Sequence, residues 1–211
     1  MSEDSADVPE DAAIPDAALL AAHVAGDPEA FGALVRRHQD RLWSVALRTC
    51  QNPEDASDAL QEALISALRN AHSFRGESQV STWLHRIVVN ASIDRIRRRR
   101  SRPTIGLDQA FAAGIPEPTE EGDRIERRET ILEVERGLAA LPVDQRAALV
   151  LVDIEGLSVS EAAHALGVPV GTVKSRCHRG RARLAVLLAH LDPGNPDPHD
   201  GVPSPVEAHR P

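Results

Sequence analysis

The sequence predicts an all-α protein of two small helical domains joined by a flexible linker, and three observations lead there. Tyrosine is absent and aromatics make up only 2% of the chain, while alanine and leucine dominate. Those residues suit helices. Apolar side chains recur at helical spacing in blocks separated by proline, glycine and asparagine breaks. Between two groups of such blocks, residues 101–123 hold Pro103, Gly106, Gly114, Pro116, Pro118 and Gly122 with little helical period, which marks a linker.

Taken in order, residues 1–15 are acidic, contain proline and are poor in large apolar groups, so no fold is expected there. A short helix is expected from Asp16 to Ala25, with Leu19, Leu20 and Val24 buried. Asp27-Pro28 restarts the chain as N-cap and first-turn proline. The helix that follows carries Phe31, Leu34, Val35, Leu42, Val45 and Ala46 to Cys50. Asn52-Pro53 breaks it and opens another, running to about Ala71, whose apolar face is Ala56, Ala59, Leu60, Ala63, Leu64, Ala67 and Leu68. The opposite face presents Asp58, Gln61, Glu62, Ile65 and Arg69. That face reads equally as a docking surface for a protein partner or as an ordinary acidic solvent face with one stray isoleucine.

A loop at residues 73–79 precedes a long helix over 81–100, with Leu84, Ile87, Val88 and Ala91 toward the core. Trp83, Arg86, Asn90, Asp94 and Arg97 share another side. Arginines can track phosphates and an amide can pair with the edge of an unstacked base, so this stripe suits a single nucleic-acid strand. The alternative is that Trp83 is a core residue and Asn90 a satisfied buried polar group. Beyond the linker, a helix over 124–141 places Ile131, Leu132, Glu135, Leu138 and Leu141 on one side. The next, from Pro142, carries Ala147, Leu149, Val150, Leu151 and Ile154, and Gly156 closes it. Residues 191–211, rich in proline, are not expected to fold.

The stretch from Leu157 to Leu184 is the most explicit. Ser158 and Glu161 form a capping box, and Gly167 suits a left-handed cap. After a short turn a second helix begins near Thr172, with Val173, Cys177, Gly180 and Leu184 on one face. Thr172, Ser175, Arg176, Arg179 and Arg183 form another, flanked by Lys174, His178 and Arg181. Two short helices with a basic outer face on the second describe a helix-turn-helix. Arginine can read guanine in the major groove, and both basic residue types neutralise phosphates.

The net charge of −8 looks wrong for such a role, but charge is segregated. Residues 95–102 hold six arginines and residues 174–183 five basic side chains, and local patches set the binding field. Cys50 and Cys177 read as reduced, half-buried thiols of a cytoplasmic protein, with a disulfide as the alternative. The nine histidines show no metal-ligand spacing with cysteines, so neither metal nor cofactor is expected. No apolar run spans a bilayer and no signal-peptide pattern is present, so membrane insertion is not expected.

Together, GDPEAFGALVRRH, DASDALQEALISAL, SFRGESQVSTWLHRIVVNASIDRIRR, LPVDQRAALVLVDIEGLSVSEAAHALGVPVGTVKSR and RGRARL resemble the extracytoplasmic-function class of bacterial RNA polymerase sigma factors. The resemblance implies a sigma-2-like domain over 16–102, a linker over 103–123 and a sigma-4-like helix-turn-helix domain over 124–190. It implies that Asp58, Gln61, Glu62 and Ile65 dock on the clamp helices of the polymerase β′ subunit, with the β flap as a further contact. Phe74, Ser78, Trp83, Arg86, Asn90 and Arg97 would read the minus-ten element as a melted strand, a flipped base lying near Asn90. Thr172, Lys174, Ser175, Arg176, Arg179 and Arg183 would read the minus-thirty-five element as duplex. Core polymerase, promoter DNA and an anti-sigma factor are the implied partners, with no catalytic activity. Cys177 and Gly180 depart from the family pattern, and a helix-interior glycine predicts fraying at the end of the second helix.

Two other classes remain open on the residues alone. A stand-alone helix-turn-helix regulator would bind duplex DNA without polymerase. A metal-dependent nuclease would use Asp55, Asp58 and Glu62, although these lack a nearby His, Lys or third inward-facing acid.

Overall fold

The computed structural model describes residues 14–101 and 124–191, with side chains in the second stretch described from residue 130. The acidic tail, the linker and the proline-rich tail therefore lie outside the described residues. Within them the chain forms eight α-helices and no strand.

Helix α1 (Asp16–Val24) buries Leu19 and Leu20, but Val24 is exposed, against expectation. The Asp27 carboxylate accepts the Glu29 N–H at 2.9 Å and α2 (Ala30–Cys50) follows, ending on Gln51 in the left-handed region at φ 60°. Helix α3 (Pro53–Asn70) starts as its sequence dictates: Asn52 Oδ1 accepts the Asp55 N–H at 2.9 Å and Pro53 occupies the first turn. Ala56, Ala59, Ala63 and Ala67 are its buried seam. Small side chains let α3 lie close to α2 and to α4 (Val80–Ser101), so Leu60 and Leu64 are only partly buried and Leu68 is exposed rather than core. On α4, Val89 is fully buried, while Ile87, expected in the core, is partly exposed.

The second group comprises α5 (Arg124–Ala139), α6 (Val143–Leu149), α7 (Val159–Leu166) and α8 (Val170–Leu187). After α6 the backbone widens into a π-type turn over Val150–Ile154, leaving Ile154 exposed and the following Glu155 buried. The capping box forms: Ser158 Oγ accepts from Glu161 N–H at 3.2 Å, and Ser158 N–H donates to Glu161 Oε2 at 2.9 Å. Gly167 caps α7 at φ 62°. Cys50 and Cys177 are free and buried, more than the expected half. Burial pushes the Cys50 thiol up to about 11 and raises that of Cys177, so both are inert as thiolates at neutral pH.

Helix α8 runs through Gly180 to Leu187. The glycine is a packing requirement: a Cβ there would stand 2.8 Å from Leu149 Cδ1 and 3.2 Å from its Cγ, and Leu149 is itself buried. The missing side chain lets α8 sit against α6.

The two helical groups share one continuous core rather than standing apart. Arg146 on α6 is buried, donating from Nε to the Thr49 carbonyl at the end of α2 at 3.0 Å and from Nη1 to the Ala139 carbonyl at 3.1 Å. Those carbonyls lie at helix C-termini, where a cation is favoured. Burial lowers the Arg146 pKa to about 10, still well above neutrality. Arg48 Nε meets buried Glu135 Oε1 at 2.9 Å, and Arg41 Nε meets buried Glu155 Oε2 at 2.6 Å. His85 lies beside this last pair, its Nε2 3.6 Å from Glu155 Oε2, and neither ring nitrogen has a hydrogen-bond partner among the described residues. Burial holds the His85 pKa below the ordinary imidazole value; Glu155 pulls it up, while Arg41 and His38 push it down.

Two stability predictions follow from this packing. Gly180→Ala gains about 1 kcal/mol of helix propensity but overpacks against Leu149 at a cost of about 1–3 kcal/mol, so urea unfolding should show net destabilisation. Gly171→Ala on the same helix, where an added Cβ meets nothing within 4 Å, should be neutral or stabilising. For His85 the folded pKa is depressed, so stability is full above about pH 6.5 and declines as pH falls below it. The slope is at most one proton, about 1.4 kcal/mol per pH unit. Melting temperatures from pH ~7.5 to ~5.5 should fall in the wild type and flatten in His85→Leu.

Candidate nucleic-acid interface

The capping box and Gly167 fix the angle at which α8 leaves α7, and the short turn between them sets α8 across the outside of the second helical group. Its inward face is the predicted one: Val173, Cys177 and Gly180 are buried. Outward, Lys174, Ser175, Arg179 and Arg183 are exposed, and Thr172 is partly so. Arg179 folds back on its own helix, donating from Nε to the Ser175 carbonyl at 3.2 Å, and Ser175 Oγ donates to the Thr172 carbonyl at 3.0 Å. Arg183 donates to Gln145 Oε1 at 3.2 Å. Arg176 differs: Nη2 is tied to Asp144 Oδ2 at 3.0 Å and the side chain is only 19% exposed. A guanidinium so held must leave its carboxylate before it can reach a base, whereas Lys174 and Arg179 need not. Arg181, on the flank, forms a two-pronged pair with Asp153 at 3.0 and 2.6 Å, which raises its pKa.

The second candidate surface lies on α4. Trp83 is half-buried against the core, with Phe74 set edge-on at 5.6 Å between ring centroids. The core reading therefore accounts for one side of Trp83 and leaves its other edge open. Ser78 is half-buried, and Arg97, exposed, pairs with Asp94 at 3.6 Å. Asn90 is a satisfied polar group, but its partner comes from the other helical group: Nδ2 donates to the Ala165 carbonyl on α7 at 3.2 Å. Arg86 Nη1 reaches His164 Nε2 at 3.5 Å. Neither contact was legible in the sequence, since the partners lie 75 or more positions away.

The outward side of α3 places Asp58, Gln61, Glu62 and Ile65 together, with Gln61 and Ile65 exposed. It is not a free acidic face. Asp58 pairs with Arg95, and Glu62 accepts from Arg98 Nη2 at 2.6 Å. Arg95 Nε and Arg99 Nη1 take the two oxygens of buried Asp55, at 3.0 and 2.7 Å. Donating this hydrogen bond to the Asp55 carboxylate raises the Arg95 pKa. Part of the arginine block read as a phosphate track is thus spent on α3, and Asp55 is an ion-pair anchor rather than a metal ligand. Among the described residues no cluster of His, Cys, Asp and Glu could hold a metal ion, and no helix is long and apolar enough to cross a membrane.

Residues 34–102 match the family described as Sigma-70 region 2, and residues 131–184 match Sigma-70, region 4. The chain is 52% identical over 179 residues to the ECF RNA polymerase sigma factor SigM of Mycobacterium tuberculosis, covering 85% of this chain and 87% of that one. To the ECF RNA polymerase sigma factor SigW of Bacillus subtilis it is 34% identical over 173 residues, covering 79% and 92%. Among solved structures, the sigma factor RpoE bound to the anti-sigma factor NepR from Bartonella quintana superposes with a TM-score of 0.63 at 28% identity. That match covers 76% of this chain and 98% of RpoE. CnrH in complex with the cytosolic domain of CnrY gives 0.60, also at 28% identity, over 83% and 97%.

Proposed function

Because the chain belongs to the extracytoplasmic-function class of RNA polymerase sigma factors, non-enzymatic subunits that direct transcription initiation, we propose that it divides promoter reading between α8 and α4. The single observation that supports this is that one chain matches both Sigma-70 region 2 and Sigma-70 region 4. Helix α8 enters the major groove of the minus-thirty-five duplex, with Lys174, Ser175 and Arg179 as its accessible contacts and Thr172, Arg183 and Arg176 around them. On α4, Asn90 holds a base from the melted minus-ten strand, Arg86 and Arg97 meet its backbone, and Phe74, Ser78 and Trp83 shape the pocket. Asp58, Gln61, Glu62 and Ile65 dock on the β′ clamp helices, the region-4 group meets the β flap, and the domain boundaries are those of the sequence reading. Docking would compete with Arg95 and Arg98 for the α3 carboxylates, leaving those arginines to phosphates. The similarity to sigma factors solved with anti-sigma partners supports an anti-sigma factor for this chain too. Its place of work is the cytoplasm, where the polymerase is.

The reading is tested by runoff transcription with core polymerase on genomic promoters; a folded chain that yields no transcript from any of them overturns it. A gel shift without polymerase separates it from a stand-alone regulator, which would bind duplex tightly alone. Arg179→Ala should cost about 1–3 kcal/mol of discrimination among minus-thirty-five variants, whereas a change in salt dependence alone would make it a phosphate contact. Asn90→Ala should weaken minus-ten selection and leave the affinity for core polymerase unchanged.

A further inference from the structure

The cations of α8 are not equally free, and α6 decides which of them are held back. The close approach at Gly180 makes this possible. With no side chain there, Leu149 and Gln145 of α6 lie directly against α8, the Gln145 Cβ standing 3.6 Å from where a Gly180 Cβ would be. The first turn of α6 therefore runs alongside the arginines of α8. Asp144 Oδ2 accepts from Arg176 Nη2 at 3.0 Å, and Gln145 Oε1 accepts from Arg183 Nη1 at 3.2 Å. Asp153, in the turn after α6, takes Arg181 with both carboxylate oxygens. Lys174 is exposed, and Arg179 is held by acceptors of its own helix, the Ser175 carbonyl at 3.2 Å and Ser175 Oγ at 3.4 Å.

The Arg176 tie differs from the others in kind. Thr172, Arg176 and Arg183 succeed one another at helical spacing on the stripe proposed to face duplex, whereas Arg181 lies on its flank. Arg183 gives up one ordinary hydrogen bond to a neutral amide when it leaves Gln145. Arg176 gives up an ion pair. Its side chain is 19% exposed and that of Asp144 44%, so the pair is partly desolvated and holds more firmly than one in open water. Withdrawing the guanidinium would also leave the Asp144 carboxylate without its cation close to the phosphates of a bound duplex, and like charges repel. A single base contact is worth less than those two losses together.

We infer that Asp144 is a specificity-determining residue of the duplex reader although it contacts no base: through its ion pair it withholds Arg176 from the major groove and leaves base reading to Lys174, Ser175 and Arg179. This rests on the promoter reading given above and narrows it, because the sequence puts Arg176 and Arg179 on an equal footing. Asp144 is a positioning residue, and Arg176 is the group through which it acts.

The test uses holoenzyme assembled from core polymerase and the full chain. Its template is a library built on one promoter that the wild type transcribes, with the minus-thirty-five element randomised and a barcode for each variant in the transcribed region. Barcode counts in the RNA give the relative use of every minus-thirty-five sequence. Asp144 is half-exposed, a position where truncation leaves the fold intact. Freed from its carboxylate, Arg176 can donate to guanine O6 and N7, so Asp144→Ala should gain a preference for guanine at one position of about fivefold or more. That gain should be absent when Asp144→Ala/Arg176→Ala is compared with Arg176→Ala alone. A tilt or loosening of α8 would persist without the guanidinium.

A profile unchanged in Asp144→Ala overturns the inference. So does a shift of the same size in the Arg176→Ala background, since Asp144 would then act by its own charge or by placing the helix. A uniform rise across all sequences, with a salt dependence steeper by about one phosphate contact, overturns it too, because the freed Arg176 would be meeting backbone alone. A wild-type holoenzyme indifferent to the minus-thirty-five sequence would instead overturn the promoter reading on which the inference rests.

Discussion

Closure of this molecule depends on one buried guanidinium. Arg146 sits where α2 and α5 both end, and donates to the backbone carbonyls of Thr49 and Ala139. Helix C-termini carry unpaired carbonyls and partial negative charge, so a cation between two of them answers a need each helix has by itself. The consequence is tertiary: a residue of the region-4 group becomes the cap of a region-2 helix. Around it the ion pairs Arg48–Glu135 and Arg41–Glu155 repeat the logic, with cations from α2 and carboxylates from the other group. Removing either arginine would strand a buried carboxylate, which is why these pairs fix the docking geometry even though they contribute little net stability.

That geometry separates the two proposed reading surfaces. Helix α8 needs only its own small domain: the capping box, Gly167 and the close approach at Gly180 place its outward face regardless of what the first group does. The α4 stripe, by contrast, lies against α7, so its availability is a property of the whole chain. The coupling runs further through α3, whose acids are paired with the arginines that follow the α4 stripe. On the proposed reading, polymerase docking and phosphate contact draw on the same side chains.

The local chemistry was plain in the sequence. Asn52-Pro53, Ser158 with Glu161, and Gly167 specify helix ends through bonds spanning a few residues, and all three formed. Helical spacing separated the buried from the exposed side of α8 and put Trp83, Arg86 and Asn90 on one stripe. Spacing was less reliable where helices pack by small residues. The alanine seam of α3 takes the core position, so Leu68 is left outside, and Val24 ends its helix in the open.

What the sequence determined by itself, then, was everything set by neighbours along the chain: helix class, caps, faces, and the family to which the motifs point. Only the tertiary structure decided that Gly180 is a point of contact, that Asp55 anchors arginines, and that Asn90 looks onto α7. Those outcomes depend on which helix arrives from far along the chain and at what distance. A side chain's partner is fixed by packing, which no periodicity encodes.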